Sequence, residues 1–381
     1  MKLIIIKDNF KRGLIVIERI TGRNLTLPIL NNVLLKTSND SLILSGTNLE
    51  LGINYQTLSK VEKEGQITVP AKLLYNLINF IPEEKIYIEA KKDILFLSGK
   101  TFKSQIKGLP AEDFPIIPGI KEGADFIEIN NAPLLEGILK VINFCSLGQI
   151  HPELSGIYFN FQKEKLELVS TDSFRLAQKD LYYQNKIKQP FSFILPQRTA
   201  RELANILSEK DTKADQGSSR VKIYYDPNQI FFEFASKDPS FSQFRFTSRL
   251  IEGEYPNYQE IIPKSSRTHT VLNKNNFLSQ IKSTSLFSGQ VNKVKIKIDP
   301  KQGLVNLFSQ SADMGEMSSS LPAEVRGEQT EAAFNYRFLL DGLSGIDGEK
   351  IAFDMNGEEG PAVLKPIDAS DYVYILMPIK S

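Results

Sequence analysis

One cysteine, two histidines and no tryptophan leave this chain of 381 residues short of the side chains that most catalytic and metal chemistry needs. Cys145 alone excludes an intrachain disulfide and suits a reducing cytoplasm. His151 and His269 cannot assemble a zinc cluster or a Cys-His pair, and a Ser-His-Asp triad would need one of two isolated rings, so both read as solvated histidines. No metal or cofactor is expected, and no enzyme activity. Long apolar runs are also missing: none reaches the ~18 residues of a membrane span, so no membrane is expected as a partner. Met1 to Ile6 is strand-like with no cleavage site behind it, which argues against a signal peptide. An excess of one charge is absent too, since 46 basic and 45 acidic residues give +1. That balance excludes bulk attraction to nucleic acid and confines any such contact to local, salt-sensitive patches. Gly99-Lys100-Thr101 looks like the end of a phosphate-binding loop, but the required earlier glycine is Ile94, so a hairpin turn is the better reading. Asp172, Asp211 and Asp215 show no paired-carboxylate spacing for acid and base work.

What the chain does contain is a repeat. His151–Arg175 lies over Leu27–Leu51 without a gap, an offset of 124 residues, with Pro28 on Pro152, Leu30 on Leu154, Leu42 on Leu166, Leu44 on Leu168 and Thr47 on Thr171. Upstream, Phe10, Gly13, Leu14 and Ile17 fall on Leu134, Gly137, Ile138 and Val141, an i, i+4, i+7 spacing that marks one helix face. Phe277, Ile281 and Thr284 form a third version, with Asn273, Asn275 or Asn276 as its cap. A second helix recurs as Pro70 to Ile81, Pro196 to Leu207 and, in frayed form, Phe334 to Leu343, with Pro70 and Pro196 expected in the first turn. Alternating stretches predict strands at Leu3–Ile6, Val33–Thr37, Ser41–Gly46, Gln66–Val69, Lys85–Ala90, Ile94–Ser98 and Ser104–Lys107 in the first copy. The second copy has Ile157–Phe161, Lys165–Ser170, Phe191–Leu195, Val221–Tyr225 and Ile230–Phe234; the third has Val294–Ile298, Val305–Ser309, Ile351–Met355 and Tyr372–Met377. This order predicts an α+β fold of three repeated domains with antiparallel sheets, spanning 1–122, 123–262 and 263–381. The polar run Glu209 to Arg220 reads as a surface loop.

Basic residues recur on or beside these helices: Lys7, Lys11, Arg12, Lys72, Lys140, Arg198, Arg201, Lys274, Lys282 and Arg337. Taken alone they are solvated faces; gathered on one side of an assembly they would form a stripe that meets phosphates.

Specific strings then carry a resemblance over the whole chain. Leu154-Ser155-Gly156, Thr171-Asp172-Ser173-Phe174-Arg175-Leu176-Ala177, Glu254-Tyr255-Pro256-Asn257-Tyr258 with Ile261, and Met377-Pro378-Ile379 resemble the bacterial DNA sliding clamp family, the beta subunits of DNA polymerase III. Leu27-Pro28-Ile29-Leu30 and Asp113-Phe114-Pro115 extend the likeness through the first domain. The resemblance implies a head-to-tail homodimeric ring, first domain against third, with sheets outside and two helices per domain inside, around double-stranded DNA held without base contacts. It turns the helix charges Lys11, Arg12, Lys72, Lys140, Arg198, Arg201, Lys282 and Arg337, with Arg23 and Gln149, into DNA-facing candidates. It also implies a pocket between the second and third domains for short linear motifs of the polymerase III alpha subunit, the clamp loader, other polymerases and repair proteins. Its lining would be Leu154, Thr171, Ser173, Phe174, Arg175, Leu176, Pro256, Glu260, Ile261, Ile375, Leu376, Met377, Pro378 and Ile379. Three departures from the family pattern bear on its preferred motif: Ser173 stands where relatives have glycine, Phe174 where they carry a polar ring, and Glu260 where a basic residue is common. A scaffold that keeps the pocket without encircling DNA, and an enzyme acting on nucleic acid, are the competing readings at this point.

Overall fold

A computed structural model describes residues 1–22, 26–148, 150–183, 189–208, 220–234 and 243–380. Arg23, Gln149 and residues 209–219 of the expected polar loop lie outside the described residues. Six α-helices are present among the described residues: α1 Lys7–Ile20, α2 Ala71–Phe80, α3 Asn131–Val141, α4 Gln197–Ser208, α5 Lys274–Ser285 and α6 Tyr336–Ser344. None is long and apolar enough to cross a membrane.

The chain forms two compact units. Met1–Leu135 and Arg198–Leu250 make one. Its eight-stranded antiparallel sheet runs Ile127–Asn130, Arg220–Asp226, Gln229–Phe234, Gln243–Arg249, Leu51–Leu58, Ser41–Thr47, Asn32–Ser38, Gln66–Pro70. Strands of the second copy thus join those of the first where Gln243–Arg249 pairs with Leu51–Leu58, with Phe246 opposite Ile53. A five-stranded sheet follows the order Lys60–Lys63, Lys2–Ile6, Lys85–Lys91, Ile94–Ser98, Lys103–Lys107.

Glu136–Gln197 and Ile251–Ser381 make the other unit. Its nine-stranded sheet runs Phe191–Pro196, Gly156–Phe161, Lys165–Thr171, Arg175–Tyr182, Tyr372–Leu376, Ala362–Pro366, Lys350–Met355, Thr268–Asn273, Glu324–Gly327. Here the second copy joins the third, at Leu176 opposite Ile375. Gly315–Pro322, Leu304–Ser311, Lys293–Asp299 and Thr330–Asn335 form a four-stranded sheet. Pairing across copies covers strand edges that an isolated domain would leave open.

The repeated helix faces are buried as their spacing predicts: Phe10, Leu14 and Ile17 of α1, and Phe277 and Ile281 of α5, are fully enclosed. Glycine on such a face permits close approach to a sheet. A Cβ on Gly13 would strike the ring of Tyr55, and one on Gly342 of α6 would strike the ring of Tyr374. Both rings then donate to the helix they touch, Tyr55 to the Asn9 carbonyl at 2.8 Å and Tyr374 to the Phe338 carbonyl at 2.9 Å.

Some details differ from the sequence reading. Pro70 and Pro196 sit one step earlier than expected, each closing a strand, with Pro70 at the cap position of α2. Phe334 belongs to a strand, and α6 starts after Asn335, whose side chain accepts from the Arg337 amide at 3.0 Å. Asn273 is the α5 cap, accepting from Asn276 at 3.0 Å. His269 is half-buried, not solvated, with Nδ1 2.6 Å from buried Asp354. Gly99 to Phe102 is the hairpin turn expected, closed by the Gly99 amide on the Phe102 carbonyl at 3.1 Å.

Candidate functional site

Residues 171–175 form the turn of the hairpin between Lys165–Thr171 and Arg175–Tyr182. Thr171 Oγ1 donates to the Arg175 carbonyl at 2.7 Å and accepts from the Ser173 amide at 3.1 Å. Asp172 Oδ1 accepts from the amides of Phe174 and Arg175 at 3.1 and 3.0 Å. The same turn stands 124 residues earlier. Thr47 Oγ1 bonds the Leu51 carbonyl and the Leu49 amide at 2.8 and 3.0 Å, and Asn48 Oδ1 accepts from Glu50 and Leu51 at 3.0 and 2.9 Å. Ser173 and Leu49, the matching third positions, both hold positive φ, 75° and 77°. Thr171 and Asp172 therefore serve the turn, as Asx and hydroxyl caps do generally. What the second copy adds is Phe174 and Arg175.

Phe174 is 63% exposed at the hairpin tip. Arg175 turns onto the helix-covered face of the sheet, where Nε meets Asp172 at 2.9 Å and Nη1 meets Asp341 of α6 at 2.5 Å. Its guanidinium lies over Phe338 and Phe144, 4.2 and 5.1 Å from their ring centres. Burial works against this charge, but the bonds to Asp341 and Asp172 outweigh it and raise the pKa above the ordinary arginine value. Sequence reading did not find Asp341 or the two rings; they lie far from Arg175 in the chain, and no local signal marks them.

The expected lining divides between the two faces of the nine-stranded sheet. Thr171, Leu176 and Ile375 are directly opposite one another across three strands and share one face; Arg175 and Leu376 are opposite on the other. Leu176 and Ile375 are closed inside a cluster with Val169, Tyr258 and Val363, under Tyr158, Tyr255 and Ile262. Leu154 and Leu376 are buried as well. The accessible part is Ser173, Phe174, Pro256, Glu260 and Ile261, with partial exposure of Arg175, Met377, Pro378 and Ile379. The Met377 amide donates to the Phe174 carbonyl at 2.9 Å, which ties the terminal segment to the hairpin tip, and the Ile379 amide donates to Ala333 at 2.7 Å. Glu260 faces solvent and accepts from Asn257 at 2.7 Å.

Below this surface, Tyr258 donates to Glu167 at 2.6 Å, and Asn160 and Lys165 reach the same carboxylate at 2.8 and 2.7 Å. Burial pushes the Glu167 carboxyl up, yet these bonds prevail and hold it below its ordinary value.

The cations divide likewise. Lys72, Arg198, Arg201, Lys282 and Arg337 are exposed, and Lys11 and Arg12 are partly so. On α4, Arg198 and Arg201 stand opposite the buried stripe Thr199, Ala200, Leu203, Ala204, Ile206 and Leu207. Lys140 departs from the sequence reading: its side chain, 14% exposed, is spent on Asp347 at 2.5 Å and the Gly345 carbonyl at 2.6 Å. Lys7 and Lys274 are structural as well. Each begins a helix and binds the carbonyl just beyond its companion helix, Ile81 at 3.1 Å and Ile346 at 2.8 Å.

Three domain models, described as the N-terminal, central and C-terminal domains of the DNA polymerase III beta subunit, match residues 1–118, 129–257 and 259–380. The chain belongs to that family. It is 27% identical over 388 residues to the beta sliding clamp of Synechococcus elongatus, covering 100% of this chain and 99% of that one, and 24% identical to that of Bacillus subtilis with both chains fully covered. Among solved structures, a Bacillus subtilis sliding clamp superposes with a TM-score of 0.91 at 23% identity, covering 100% of this chain and 99% of that one. A Bartonella birtlesii clamp bound to griselimycin gives 0.90 at 28%, with both chains fully covered. Membership makes the chain a sliding clamp of DNA polymerase III, a processivity subunit that performs no chemistry of its own.

Proposed function

We propose that two copies close head to tail, the first domain (1–122) of one against the third (263–381) of the other, into a ring that encircles duplex DNA without reading its sequence. The observation that carries this reading is the tiling of the chain by three family domains, end to end. Free sheet edges support the closure. Lys103–Lys107 is an outer strand of the first domain's five-stranded sheet, and Gly315–Pro322 an outer strand of the third domain's four-stranded sheet. Lys103 and Lys107 on one and Glu316 on the other make an antiparallel pairing between copies electrostatically favourable. The exposed helix cations Lys72, Arg198, Arg201, Lys282 and Arg337, with Lys11 and Arg12, meet the phosphates, and linkage around the duplex retains the ring where a net charge of +1 could not.

Phe174, Ile261, Pro256 and Met377–Ile379 receive the short motifs of the polymerase III alpha subunit, the clamp loader and other replication and repair proteins, oriented by the Arg175 cluster. Griselimycin on the Bartonella birtlesii clamp supports a ligand-receiving surface in the family. Particle imaging of the chain without DNA tests closure: two-chain rings with a central hole are expected, and monomers at working concentration would defeat the reading. Arg198→Glu with Arg201→Glu should shorten retention on nicked circular DNA while leaving the rings intact; unchanged retention would remove α4 from the DNA-facing surface.

A further inference from the structure

Equivalent faces of the two large sheets are covered by equivalent connecting segments, and the two coverings differ. In the unit containing the nine-stranded sheet the segment is Glu254-Tyr255-Pro256-Asn257-Tyr258, and its tyrosines close the face: Tyr255 stacks on Tyr158 at 4.7 Å, and Tyr258 reaches Glu167. In the other unit the segment is Asp113-Phe114-Pro115-Ile116-Ile117, so Ile117 stands where Tyr258 stands, and Ile43, 124 residues before Glu167, lies beneath. Ile117 seats its side chain against Gly52, the counterpart of Leu176; a Cβ there would come within 2.7 Å of it. Ile116 does not turn inward at all and is 95% exposed.

A branched four-carbon side chain cannot fill the place of a tyrosine, and a groove of about 390 Å³ remains over the eight-stranded sheet. Its floor is a row of directly opposed residues, Gln66, Lys36, Ile43, Gln56 and Gln243, each on a neighbouring strand. Arg245 borders it, 3.2 Å from Glu233. Among the described residues no carboxylate lines it, whereas Lys36 and Arg245 do. Amides, the exposed Lys36 and an exposed isoleucine at the rim call for an occupant with a carboxylate, main-chain polar groups and one aromatic ring; Arg245 is already paired with Glu233.

We propose that this groove is a second linear-peptide site, which takes a short acidic segment by seating an aromatic side chain where the other unit seats its own Tyr258. A carboxylate flanking that ring meets Lys36, and Ile116 covers its edge. This site is separate from the surface around Phe174 and Met377.

Fluorescence anisotropy with the labelled peptide EYPNYQE, the chain's own residues 254–260, tests it against the full-length protein. Saturable binding of one peptide per chain is expected, weakened about tenfold by Lys36→Glu, by the charge-free peptide QYPNYQQ and by raised salt. Ile117→Tyr should fill the groove from within and abolish binding, with a melting curve establishing that this variant is folded. Binding indifferent to Lys36→Glu, to Ile117→Tyr and to peptide charge would overturn the proposal. Binding lost on Phe174→Asp but kept in Lys36→Glu would also overturn it, while leaving the Phe174 surface as a peptide site.

Discussion

Leu176, read from the sequence as a pocket wall, is 2% exposed and packs with Val169, Tyr258, Val363 and Ile375. Leu176→Ala should therefore cost about 2–5 kcal/mol of folding stability, as truncations in enclosed sites do, measurable by urea denaturation. Phe174→Ala is the cleaner probe. At 63% exposure it should change stability by less than about 0.5 kcal/mol and still weaken a partner peptide in a titration. Glu167 carries a pH dependence. Its folded carboxyl is held below the ordinary value near 4.5, so its contribution to stability is complete above that value and is lost as pH falls through the folded one. Glu167→Gln should accordingly flatten the acid limb of stability against pH; an unchanged limb would assign that loss to other carboxylates.

At the scale of the element, the two equivalent hairpins separate fold from function. Asn48 and Asp172 cap the same turn, but only Asp172 also holds an arginine. Asp172→Ala should cost about 1.5–3 kcal/mol, in the range of hydrogen bonds to charged groups, and Asn48→Ala about 0.5–1.5, in the range of neutral ones, compared by thermal melts of the two variants. Equal losses would mean that the Arg175 pair adds nothing. Strands whose residues alternate, such as Lys165–Thr171, were legible from local pattern. Gly315–Pro322, with three consecutive serines, was not; what orders it is register with Leu304–Ser311 along its whole length. Arg175–Tyr182 shows no strand in its local pattern, because its alternating charges conceal a strand whose two sides meet different partners.

For the whole molecule, the proposed ring closure is the property to test, and the outer strands Lys103–Lys107 and Gly315–Pro322 are where it can be tested. Successive residues of a strand aim their amides to opposite sides, so of Ser104→Pro and Gln105→Pro one removes an outward donor and spares the sheet. That variant should shift the chain from dimer to monomer by light scattering at unchanged melting temperature; a persistent dimer would place the interface elsewhere. The repeat revealed three copies, yet the sheets do not respect them. The second copy divides its strands between an eight-stranded sheet with the first and a nine-stranded sheet with the third.

The sequence by itself determined what a local period can encode: the recurrence of the domain, the buried faces of the helices, and a side-chain inventory without catalytic pairings. Tertiary structure alone decided which residues of a motif remain accessible, since burial depends on what crosses above. It placed Leu176 under Tyr258, gave Arg175 to Asp341, spent Lys140 on Asp347, and left a groove where Ile117 is too small to do what Tyr258 does. Each of those outcomes rests on contacts between segments distant in the chain, and no window of neighbouring residues contains both partners.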